Sequence, residues 1–314
     1  MKLVTTTSDL EPWFSDRSIA APVAAMKDSG FRHLDLDFSR IIYPGSPWLA
    51  PGDAWKHEVE DCARIAEELG LDFAQSHAPD GEHYIEGEKR DNFLLALHRT
   101  IEACGMLGIP NTVIHGGTVP GLDLQDPLFR ERSQKPKIAF YALFEDDCEK
   151  YDVDMLCENG SRMWIPTSVC NTGADMRELV ELARLPRLHI CWDVGHANCE
   201  GCDQYSDLLA MGSELKAVHL HDNLANGDAH AMPMTGTVNF DRVLQGMRAI
   251  DFQGCFTFEC MNTLRRSAKG KLARRDVQPE DKLGKVPLAL QQAQQRVTYE
   301  IGKWMLESYG YSVE

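Results

Sequence analysis

The segment Leu188-His-Ile-Cys-Trp-Asp-Val-Gly-His-Ala-Asn198, followed by Leu215-Lys-Ala-Val-His-Leu-His-Asp-Asn223, decides the class of fold. Each part begins as a short apolar run of strand type. Each stops at residues that carry chemistry: Asp193 and His196 in the first, His219 and His221 in the second. Between them Asp203–Met211 is patterned for a helix. Strand, helix and strand in so little chain predict two parallel strands joined by a crossover helix.

The same unit recurs in both directions. Apolar runs at Lys2–Val4, Phe31–Leu36, Leu71–Gln75, Thr112–Ile114, Val153–Cys157 and Cys255–Phe258 bring the strand count to eight. Helical patterns lie between most of them: Ala54–Leu69, Asn92–Gly108, Ala174–Ala183 and Phe240–Ile250, with Leu288–Leu306 at the end. The polar residues closing successive strands, Asp37, His77, His115, Glu158, Asp193, His219 and Glu259, are spaced 40, 38, 43, 35, 26 and 40 apart. That beat is close to an eighth of the 314 residues. It predicts an α/β chain folded as a single (β/α)8 barrel over residues 1–314, with irregular connections near 116–150 and 262–286. A doubly wound sheet is the rival. It would usually bring a glycine-rich phosphate loop after the first strand, and Thr5-Thr6-Thr7-Ser8-Asp9 is not one.

Composition narrows the partners. With 43% apolar and 25% charged residues the chain is of globular type. A net charge of −16 speaks against nucleic acid and anionic membrane as partners. No run approaches the ~20 apolar residues of a membrane span, and Met1–Thr6 does not read as a signal peptide. Ten scattered cysteines suggest reduced thiols in a cytoplasm, with Cys199 and Cys202 read as two loop thiols.

In an eight-stranded α/β barrel the C-terminal strand ends meet at one mouth. There this chain places His77, His115, Glu158, Asp193, His196, His219, His221, Asp228, His230 and Glu259, which include six of its eleven histidines. Carboxylates buried together repel one another unless a cation or a dense hydrogen-bond network intervenes. His219 and His221 alternate along a strand, so their imidazoles share a side. The donor types suit Mn²⁺ or Mg²⁺, and added imidazoles pull towards Zn²⁺ or Co²⁺. The residue types alone do not choose among these ions.

This series, from about Phe31 to Glu259, resembles the xylose isomerase-like barrel superfamily, which holds sugar isomerases and epimerases and the endonuclease IV type of AP endonuclease. The resemblance implies one divalent ion held by Glu158, Asp193, His219 and Glu259. His219 is preferred to His221 because the family's ligand stands three residues before an acid, here Asp222. It further implies an isomerase or epimerase acting on a sugar or sugar derivative, a 3-keto-glycoside among the candidates. The reaction would remove a proton beside a carbonyl through a metal-held enediolate. Glu158 and Glu259 would serve as acid and base, and His77, His115, His196, His221, Asp228 and His230 would contact substrate hydroxyls. Trp13 and Trp164 could stack on a sugar face. A homo-oligomer would accord with the dimers and tetramers common in the family.

Two rivals accompany this reading. The endonuclease branch uses nine ligands for three zinc ions, and all nine have matches here: His77, His115, Glu158, Asp193, His196, His219, Asp228, His230 and Glu259. A metal-dependent lyase or dehydratase on keto sugars would share the first chemical step. One departure from the family pattern stands out. Pro233-Met234-Thr235-Gly236 replaces the usual Pro-Gly-x-Gly, so the backbone of that loop is expected to differ.

Overall fold

In the computed structural model, which describes residues 1–11, 14, 17–264, 282 and 286–314, eight parallel strands close in sequence order. They are β1 (Lys2–Thr6), β2 (His33–Asp37), β3 (Asp72–His77), β4 (Asn111–Val113), β5 (Asp154–Glu158), β6 (Leu188–Asp193), β7 (Leu215–Leu220) and β8 (Cys255–Phe258). β8 returns to pair with β1, which completes the barrel. The predicted (β/α)8 architecture is therefore what the chain adopts.

The helices are α1 (Ala20–Ala25), α2 (Lys56–Leu69), α3 (Glu88–Leu107), α4 (Phe129–Tyr141), α5 (Glu145–Tyr151), α6 (Gly173–Ala183), α7 (Val194–Glu200), α8 (Gln204–Met211), α9 (Phe240–Ala249) and α10 (Leu288–Ser308). Among the described residues no helix is long and apolar enough to cross a membrane.

Strands buried on both faces explain the unbroken apolar runs. Leu34, Leu36, Ile190, Trp192, Val218, Leu220, Phe256 and Phe258 point outward into the core beneath the helices. Each such side chain contributes about 1.5–3 kcal/mol by leaving water. The inward positions form a separate cluster of Val4, Ala74, Val113, Leu156, Cys191, Ala217 and Cys255, which fills the barrel with mostly small groups. Two residues further along, the same inward face carries Glu158 after Leu156, Asp193 after Cys191 and His219 after Ala217; Glu259 lies four beyond Cys255. The apolar floor thus sets the height at which the polar site begins.

One connection differs from expectation. The stretch 116–150 carries α4 and α5, and only its first part is irregular. The buried face of α4 includes Ser133, Gln134 and Lys137, and Pro136 lies within the helix, so no apolar period marks it in the sequence. Most of the stretch near 262–286, and Trp13, lie outside the described residues. The ten cysteines are all free thiols.

Candidate metal centre and active site

Glu158, Asp193, His219 and Glu259, from four consecutive strands or their ends, each offer a donor atom such that all four lie within 4.8 Å of one another. The strand ladders fix this. Asp193 on β6 is paired with His219 on β7, and Glu259 follows β8 with its amide on the Leu220 carbonyl. His219 Nδ1 stands 2.8 Å from Glu158 Oε1 and 3.3 Å from Glu259 Oε1. On the far side of the ring, the Gln75 side-chain amide is 2.7 Å from Nε2. The second Glu158 oxygen faces His115 and His77, at 3.4 and 3.8 Å. Those two imidazoles are themselves 3.1 Å apart, and together with Glu158 they make a second donor group.

A third group collects His196, His221, Asp228 and His230. Asp193 caps α7, its carboxylate accepting the His196 amide at 2.7 Å, while His221 Nε2 meets the same carboxylate at 3.1 Å. The glycine of Asp-Val-Gly-His is required here, because a Cβ on Gly195 would collide with the His221 ring. Asp228 stands 3.0 Å from His230 and 3.5 Å from His196. The loop bearing Asp228 and His230 hangs from Asp222, whose carboxylate accepts the amides of Asn223, Thr235, Gly236 and Val238 at 2.8–3.1 Å. Three of its residues, Ala225, His230 and Met234, have left-handed backbone, with φ of 56°, 42° and 71°. Such strain persists only where the surroundings enforce it. Met234 thus takes a left-handed conformation that glycine would adopt freely.

His221 lies deeper than the other expected substrate contacts. Named as a substrate contact, it is fully buried, stacked on His230 at 4.0 Å and against Asp193. It positions the Asp193 carboxylate. His77, His115, His196, Asp228 and His230 all keep some exposure at the mouth. Trp164 stands beside them, edge-on to His196 with centroids 5.1 Å apart.

The charges are tightly balanced. Burial alone would raise the pKa of Glu158, but the imidazoles of His219, His77 and His115 hold it well below the carboxylate range. Burial works against the protonated form of His219 too. Glu259 and Glu158 overcome it and push the imidazole up to about 9. For His230 the same contest, won by Asp228, leads to about 10. Protonated imidazoles thus stand where a cation would balance the carboxylates. Three carboxylates and one imidazole converging without solvent suit a divalent cation with oxygen preference.

The roles of four residues escaped the sequence reading. Asn159 clasps Asp193 in a reciprocal pair: its Oδ1 accepts the Asp193 amide at 2.7 Å and its Nδ2 donates to the Asp193 carbonyl at 3.0 Å. Gln75 supports His219, and Asp222 anchors the outer loop. Asp35 is fully buried, and neither carboxylate oxygen has a hydrogen-bond partner among the described residues. Burial, against the pull of His219 and His77, raises its pKa to about 7. The β2–β3 register slips between Leu34 and Asp35, and such a bulge re-aims a side chain. The alternation His33-Leu-Asp35-Leu-Asp37, with both leucines outside, was the available signal for an acidic interior face.

Comparison with known families matches residues 23–278 to the one described as xylose isomerase-like TIM barrel. The chain belongs to this family. Among sequence relatives, the ketose 3-epimerase of Arthrobacter globiformis is 31% identical over 98 residues, which cover 31% of this chain and 32% of that protein. The crystal structure of D-psicose 3-epimerase with D-tagatose from Clostridium cellulolyticum H10 superposes with a TM-score of 0.73 at 14% identity, covering 98% of this chain and 99% of that one. The 3-keto-D-glucoside 4-epimerase of E. coli gives 0.66 at 18% identity, covering 97% and 98%. At such identities the likeness to the solved structures is one of fold within the xylose isomerase-like barrels.

Proposed function

We propose that the protein is a divalent-metal-dependent epimerase or isomerase acting on a sugar or sugar derivative. The observation that carries this reading is the buried meeting of Glu158, Asp193, His219 and Glu259 within 4.8 Å. Those four would hold the ion, with Mn²⁺ favoured and Mg²⁺, Co²⁺ or Zn²⁺ as other candidates. Once bound, the ion would polarise the carbonyl and acidify the adjacent C–H. Glu158 and Glu259 both stand beside His219 Nδ1, and one carboxylate would remove the proton while the other returns one. Return to the opposite face yields an epimer, and return to the neighbouring carbon an isomer. His77, His115, His196, Asp228 and His230 ring the entrance and would orient hydroxyls. The epimerases that share this fold support the substrate class.

Metal analysis of the purified protein, combined with a screen for solvent deuterium entering keto sugars, tests the proposal. One ion per chain and deuterium at the carbon next to the carbonyl are expected. A loaded protein that binds keto sugars without exchange would be a non-catalytic sugar-binding barrel, and the proposal would fall.

A second reading draws on the three donor groups described above, which together contain all nine positions of the endonuclease IV-type zinc set. Three zinc ions per chain and cleavage of an abasic duplex would favour it, against the repulsion expected from a charge of −16.

A further inference from the structure

Beyond the ion site, a cavity of about 360 Å³ runs from Glu158 and His115 to α4, with Lys137 in its wall. That volume is at the small end of the range for small-molecule sites, roughly 300–1,000 Å³. Lys137 is 9% exposed. Its ammonium donates to the carbonyls of Gly117 and, at 3.4 Å, of Gly116, and no carboxylate pairs with it among the described residues. The acids nearby are engaged elsewhere: Glu158 by three histidines, Asp80 beside His83 at 3.7 Å, and Glu82 by the amides of Tyr84 and Ile85.

A buried cation without a counter-charge is costly, and a fold tolerates it where a ligand supplies the charge. The surroundings are built to hold it. Gly117 has φ +61°, and a Cβ there would strike the His83 ring. Tyr84 donates to the Gly116 carbonyl, and His83 Nε2 lies 2.8 Å from the His115 carbonyl. The turn that presents two carbonyls to Lys137 is therefore tied to a histidine of the mouth. Ser133, one helical turn before Lys137, lines the same space, as do Thr167 and Ser168. Burial also lowers the pKa of Lys137, a loss that an anion beside it would reverse.

We propose that Lys137 is a specificity-determining residue that receives an anionic group, a carboxylate or a phosphate, on the far end of the substrate. This deepens the reading of the site as one for sugars and rests on it. Lys137 sets which sugar binds and takes no part in the proton transfer.

The test uses the manganese-loaded protein with three keto sugars that differ at one carbon: D-fructose, D-fructuronate and D-fructose 6-phosphate. Binding is measured by calorimetry, and exchange by deuterium incorporation. At least one anionic sugar should bind tenfold or more tightly than D-fructose, and which of the two does so distinguishes carboxylate from phosphate. Lys137→Met should erase that preference while changing D-fructose affinity less than threefold, and Lys137→Arg should restore part of it. Lys137→Met should melt no lower than the parent, because it removes an uncompensated charge. Equal binding of all three sugars, binding of none, a preference that survives Lys137→Met, or a melting point several degrees lower in that variant would each overturn the proposal. Anion preference without exchange would reject the reaction and leave the Lys137 site standing.

Discussion

The inner and outer halves of the mouth are built differently. Glu158, Asp193 and His219 sit on strands whose neighbours fix them through backbone ladders, and Glu259 follows β8 directly. Asp228 and His230 belong to a loop held by one carboxylate and three left-handed residues. The inner half inherits its geometry from the barrel, and the outer half owes it to local tension. The first should tolerate loss of the second, and the reverse should fail.

The largest effect should follow substitution in the inner half. Glu158→Gln or Glu259→Gln should lower turnover by about 10²–10⁴-fold, with circular dichroism unchanged. Substantial residual exchange into the substrate would reject the two-carboxylate chemistry. Next, Asp222→Ala removes the acceptor of four amides. Charged hydrogen bonds of this kind contribute about 1.5–3 kcal/mol each, so a stability loss of about 3 kcal/mol or more is expected in chemical denaturation, with the ion content unchanged. Loss of the ion in that variant would show that the halves are not separable.

The pH response should be gentler. His219 must give up its proton to act as a ligand, and its pKa in the cation-free protein is about 9. Metal affinity should therefore rise by about tenfold per pH unit between 7 and 9, with proton release on binding. Calorimetry in buffers of different ionisation enthalpy measures this. The sign for stability is opposite. Folded pKa values above the ordinary 6.5 for His219 and His230 add stability below that pH, and it is lost as pH rises through about 9 to 10. The smallest effect is Met234→Gly, which relieves a φ of +71° and should stabilise by about 0.5 kcal/mol.

The fold was largely readable because strands buried on both faces leave apolar runs that turns cannot mimic. The predicted range for β8 coincides with that observed. α4 was not readable, since its buried face holds Lys137 and Gln134. The charged and imidazole residues of the mouth announced themselves at strand ends and in the connections just beyond them. Asn159, Gln75 and Asp35 did not, because their roles come from neighbouring strands. An amide that clasps a residue 34 positions away leaves no local mark.

Glu158 turns one oxygen to His219 and the other to His77 and His115. A side chain shared in this way makes bookkeeping by single substitutions misleading. Removing His115 should leave that second oxygen to His77 alone and so change the charge that His219 faces. A cycle combining His115→Ala with His219→Ala should depart from simple summation of the two penalties.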